Sequence, residues 1–114
     1  MAQWTAEPKE LGRAGLMGAG NNTLYTVPAL KKATLTEILI HNAHTANVTV
    51  TVHLVKTGQS VGNGFIVLNE IIQANETLPW AACKILEAGD FISAVATVAS
   101  VINIWCDGAE LTSL

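Results

Sequence analysis

Any catalytic or metal chemistry in this chain would be built from few parts: three histidines (His41, His44, His53), two cysteines (Cys83, Cys106) and nine acids in 114 residues. If segments 34–42 and 47–55 pair as a hairpin, His41 and His53 come onto facing strands with Glu37 nearby. Two imidazoles and a carboxylate are a donor set that zinc accepts. Strand histidines are more often solvated or hydrogen-bonded than ligating, so the reading is no metal. A thiol nucleophile needs a histidine base within hydrogen-bond reach, and no local signature surrounds either cysteine. Both are read as reduced, structural thiols that pack as small apolar groups. Carboxylate pairs for glycoside hydrolysis can be drawn from Glu37, Glu70, Asp90 and Asp107, but any nine acids allow such a pair by chance. Gly58, Gly62 and Gly64 are followed by no Gly-Lys-Ser/Thr and no helix start, so they form a flexible hairpin tip and not a phosphate loop. No catalytic residue, cofactor or metal is expected, and the chain is read as a non-enzyme.

The three tryptophans offer contact area in place of chemistry. Trp4, Trp80 and Trp105 suit interface anchors or a carbohydrate cleft, and Trp105, between Ile104 and Cys106, is expected in the core.

Composition says how the surface behaves. Half the residues are apolar and 13% are charged, where soluble domains carry about a quarter charged residues. A shell of Thr, Asn, Ser and apolar side chains loses little on desolvation, so this surface is expected to associate. Net charge is −3, and Lys31-Lys32 is the only adjacent basic pair. Direct nucleic-acid binding is therefore not expected, because it rests on clustered cations. No apolar run approaches the roughly 20 residues that span a bilayer as a helix. The first residues show no signal-peptide pattern, so synthesis in a cytoplasm is expected, where the three sequons starting at Asn21, Asn47 and Asn75 carry no meaning.

The elements that would position these residues are short strands. Residues 47–55 alternate Val48, Val50, Val52 and Leu54 with Thr49, Thr51 and His53, the pattern of a half-buried strand. Further strands are expected at 23–27, 34–42, 65–73, 77–80, 91–97, 101–106 and 109–111, with turns at Ala74-Asn75-Glu76, Leu86–Asp90 and Asp107-Gly108. Ala94–Ala99 is alanine-rich, but its β-branched neighbours argue against a helix. Seven or eight short strands at roughly ten-residue spacing predict an all-β antiparallel sandwich or jelly roll. Residues 1–22, with Gly12, Gly15, Gly18 and Gly20, lack a periodic core and are read as an extended N-terminal arm ahead of a sandwich domain at 23–114. Fully extended, such an arm reaches roughly 70 Å. Its apolar members Trp4, Leu11, Leu16 and Met17 either anchor a neighbouring subunit or fold back over their own sandwich.

The segments Thr23-Leu24-Tyr25-Thr26-Val27-Pro28, 34–54 and Leu86-Glu87-Ala88-Gly89-Asp90 through Asp107-Gly108 resemble small β-sandwich virion proteins of tailed bacteriophages. The likeness runs over residues 23–111. It departs from them at Leu30, where such proteins often carry a glycine two residues after Val-Pro. The resemblance implies a capsid decoration or cement protein that oligomerises, trimers being common among such proteins, and contacts the major capsid protein or other virion proteins. Localisation would be the virion, after synthesis in the host cytoplasm, with no membrane partner. Interface residues would be Trp4, Leu11, Leu16 and Met17 in the arm and Gly58, Gly62 and Gly64 in the loop. Neck, baseplate or fibre-attachment roles use the same physics, and a carbohydrate- or receptor-binding sandwich centred on Trp80 is the alternative from another class.

Overall fold

The Val/Thr alternation of 48–55 does what its period requires: Val48, Val50 and Val52 are buried while Thr49 and Thr51 stay half-buried on the other face. The computed structural model describes residues 4–15, 18, 20–62 and 65–113. Its eight strands are β1 (Trp4–Ala14), β2 (Asn22–Thr26), β3 (Lys31–Asn42), β4 (Val48–Val55), β5 (Ile66–Ile72), β6 (Thr77–Leu86), β7 (Phe91–Ala96) and β8 (Ile102–Ser113).

Pairing is nested. β4 pairs with β5, β3 with β6, β2 with β7 and β1 with β8, all antiparallel. Rolling this long hairpin over itself adds the β3–β8 and β4–β7 ladders. The result is two four-stranded sheets, β1-β8-β3-β6 and β2-β7-β4-β5, which is jelly-roll order. The all-β sandwich expected from strand spacing is therefore the fold. Between the sheets, Leu35, Ile38, Ile40, Ile92, Ile102 and Ile104 are wholly buried with the β4 valines, and Leu24, Leu78 and Trp80 pack against that cluster.

Several local expectations change. β3 and β4 are not a hairpin: they lie in opposite sheets, joined by a crossing at 43–47. Asp107-Gly108 is not a turn but mid-β8, because Gly108 lets β3 approach closely at Thr34. β6 continues past Trp80 to Leu86, with Pro79 near the start of this sheet-edge strand, where a missing donor is tolerated. Trp105 is not core: Ile104 and Cys106 are buried, so strict alternation turns Trp105 outward, and Trp80 packs on the core instead. Residues 4–14, expected in an arm set apart from the core, are extended but paired along β8 as the edge strand β1. A bulge between Glu10 and Gly12 turns Leu11 inward, where it is 4% exposed.

The turn after Val27-Pro28 is tight although glycine is absent. Lys31 N donates to the Pro28 carbonyl, and Leu30 takes φ +64°, the left-handed value that the third position of a type II turn demands. A leucine there is strained and 87% exposed. We expect Leu30→Gly to stabilise the protein by about 0.5–1 kcal/mol, the relieved strain outweighing the added unfolded-chain entropy; a lower denaturation midpoint would contradict this.

Candidate interaction surface

The face of the β1-β8-β3-β6 sheet turned away from the core is ordered into rows by the cross-strand register. Pro8, Ala109, Thr34 and Ile85 form one row across all four strands. Arg13, Trp105, Leu39 and Pro79 form another, with the Arg13 guanidinium 5.9 Å from the Trp105 ring centroid. Between these bands lie Glu10, Asp107, Glu37 and Ala81, all exposed. Like charges directly opposite one another on adjacent strands repel, and none of these three carboxylates makes an ion pair among the described residues. Near the first end, Lys32 lies 5.0 Å from the Trp4 ring centroid and 3.6 Å from Glu87. Near the other, His41 Nδ1 and Thr77 Oγ1 are 2.8 Å apart.

The β1 edge is fastened by a buried carboxylate. Glu110 of β8 accepts from Lys9 of β1 at 3.0 Å, from Lys31 of β3 at 3.5 Å and from the Tyr25 hydroxyl of β2 at 2.5 Å. The Tyr25 hydrogen bond, with both lysines, holds the Glu110 carboxyl below its usual range against the opposing effect of burial, while burial and the facing carboxylate push the Tyr25 phenol up. One side chain thus ties three strands of one sheet to an edge strand of the other.

On the second sheet, His53 and Ser93 are direct cross-strand partners facing away from the core, yet they are 6% and 1% exposed. Among the described residues, His53 Nδ1 and Ser93 Oγ have no hydrogen-bond partner. The connector after β4 begins next to them and returns at Ile66, which lies opposite His53; its Val61, Gly62 and Phe65 are half-buried. Burial lowers the His53 pKa. The unfolded chain therefore takes up a proton near pH 6.5 that the folded protein refuses, so stability falls as pH drops through that value, by up to about 1.4 kcal/mol per pH unit. His53→Phe is expected to flatten the midpoint-versus-pH curve between pH 7 and 5; an unchanged slope would show that other groups set it.

The thiols divide by burial. Cys83 is exposed on edge strand β6, whereas Cys106 is buried and its pKa is pushed up to about 12 by desolvation and by Asp107. A thiol reagent should label Cys83 alone in the native protein and both in denaturant, read by mass.

The expected site residues are dispersed. Trp4 is 40% exposed against Lys32, Leu11 fills the chain's own core, and Gly58 and Gly62 lie in the β4–β5 connector. Leu16, Met17 and Gly64 fall outside the described residues. His41 and His53 are in opposite sheets and cannot share a metal, and among the described residues no three His, Cys, Asp or Glu side chains gather as an ion would require. A cleft of about 230 Å³ opens between the β5 and β6 edges, lined by Leu54, Lys56, Val67, Lys84 and Asp90 among others. Asp90 is committed there to Lys56 Nζ and to the amides of Thr57 and Glu87, as the anchor of two turns.

These features define a jelly-roll domain with one wide sheet face on which a row of carboxylates runs between two bands that include apolar and aromatic side chains. Solved structures share the fold over nearly the whole chain. A chain of Bacillus endospore appendages, which form disulfide-linked pili, matches 98% of this chain and 90% of its own at 14% identity and TM-score 0.57. A chain of the acid-stable capsid of Helicobacter pylori bacteriophage KHP30 matches 100% and 98% at 10% identity and TM-score 0.57. The coat protein of Tobacco streak virus matches 96% and 85% at 8% identity and TM-score 0.49. At such identities the likeness is one of fold. No family model and no curated protein matches the sequence.

Proposed function

We propose that this chain is a structural virion protein, a capsid decoration or cement subunit that stabilises a phage head by binding across neighbouring shell subunits. The observation that carries the reading is the outer face of the β1-β8-β3-β6 sheet, where two rows that include Ala109 and Ile85 in one and Trp105 and Leu39 in the other run across every strand. A ligand that binds only the assembled shell raises its stability by mass action. The fold likeness supports the reading: the chain of the KHP30 capsid structure matches over 100% of this chain and 98% of its own. On this reading the partners are the major capsid protein and further copies of the chain, and Trp4 with the β4–β5 connector supplies secondary contacts. A neck, baseplate or fibre-attachment role uses the same surfaces. The carbohydrate reading loses its platform, since Trp80 packs on the core.

The pilus likeness favours a second reading, a filament subunit whose edge strands β5 and β6, with Ile71 and Ile85 about two-thirds exposed, pair with a neighbour. Electron microscopy and peptide mass mapping of particles from cells expressing the chain with its neighbouring genes separate the two. Heads carrying the chain at a fixed ratio to shell protein support the first; filaments made of the chain alone replace it with the second.

A further inference from the structure

We infer that the outer face of the β1-β8-β3-β6 sheet docks a different protein, one whose surface presents a row of lysine or arginine side chains flanked by apolar residues. The inference deepens the reading of the chain as an assembly subunit and rests on it. Glu10, Asp107 and Glu37 stand side by side on three adjacent strands, all exposed. Strand spacing puts neighbouring members roughly 5 Å apart. Holding three like charges there disfavours the free sheet, and a matching cationic row turns that repulsion into attraction.

A second copy cannot supply that row. The chain has six lysines and arginines. Lys9 and Lys31 are held by Glu110, Lys56 by Asp90, Lys32 by Glu87 and the Trp4 ring, and Arg13 lies over Trp105. The sixth, Lys84, lines the cleft at the β5–β6 edge. Two copies face to face would bring six of these carboxylates together against only Arg13 and Lys32 of each copy, fewer cations than acids.

The size of the face fits a stable partner. Four strands over about ten residues outline roughly 600 Å², near the ~800 Å² per partner of a standard interface. Its anatomy also matches: Trp105 and Leu39 on one side of the acidic row and Ala109 and Ile85 on the other supply desolvated contact, while the carboxylates fix register.

The test is an amide-shift titration of the isotope-labelled full chain with a β-strand peptide of alternating lysine and valine, and with its glutamate–valine counterpart. We expect shifts at Glu10, Glu37, Leu39, Trp105 and Asp107 with the lysine peptide only. Binding should weaken at least tenfold in the Glu37→Gln/Asp107→Asn double variant and remain near wild type in Glu70→Gln/Glu76→Gln, which removes equal charge elsewhere. The first variant should melt no lower than wild type. Shifts centred on the other sheet, equal weakening by both variants, or no preference for lysine would overturn the inference. So would sedimentation as a dimer that Leu39→Lys dissociates, which would give the face to a second copy. Absence of the chain from virus particles would instead sink the virion reading, and the titration distinguishes the two failures.

Discussion

Gly108→Ala is expected to destabilise the native fold severely. A Cβ at this position of β8 would lie far inside contact distance of the Thr34 carbonyl oxygen, 2.9 Å from the Thr34 carbonyl carbon and 3.0 Å from Leu11 Cδ1. Neither neighbour can retreat. Thr34 is in the middle of β3, paired with Ala109 on one side and Ile85 on the other, and Leu11 is buried. Relief requires the two central strands of the sheet to separate, and backbone clashes of this kind belong among the rare substitutions that cost more than about 4 kcal/mol. Against a typical total of about 5–15 kcal/mol, that removes most of the stability at the low end of the range and a large share of it elsewhere. A melting midpoint lowered by about 15 °C or more, with reduced soluble yield, is the expected result. A normal melt would mean that β8 is not held against β3 in this register.

The second large effect belongs to Glu110. Glu110→Ala removes the acceptor shared by Tyr25, Lys9 and Lys31, and is expected to cost about 2–3 kcal/mol. The lysines are 46% and 36% exposed and regain water, so most of the loss falls on the half-buried Tyr25 hydroxyl and on the space left at the edge. The same residue governs acid stability. Because the folded carboxyl titrates below its unfolded value, its contribution is complete above about pH 4.5 and declines as pH falls toward the folded pKa. Wild type should lose stability through that window more steeply than Glu110→Gln, and parallel curves would count against the clasp. Hydrogen exchange adds a spatial readout: β1 amides should lose protection first.

How far this molecule could be read in advance depended on whether a signal was local. The strand at 48–55 declares itself because its alternation is purely a property of neighbours in sequence. Strand β1 does not: at a sheet edge its residues 4–10 are all exposed, and Pro8, Lys9 and Glu10 serve to blunt that edge, so composition reads it as an arm. Asp107-Gly108 has the letters of a turn, and only the approach of β3 shows that the glycine serves packing instead. Trp105 reads as core because it is a large ring between apolar neighbours, yet the parity of buried Ile102, Ile104 and Cys106 turns it outward. The row of Glu10, Asp107 and Glu37 could not be seen at all, since its members become neighbours only through the register of β1, β8 and β3. A surface made by register is invisible until the pairing is known.

The nested ladder also orders events in time. β4 and β5 are close in the chain and can meet early, but each outer pair must close a longer loop, ending with Trp4 opposite Ser113. During synthesis β1 is therefore made well before β8, the strand it pairs with. In that interval the β8 of a neighbouring chain presents β1 with the same ladder, the general route to an exchanged strand.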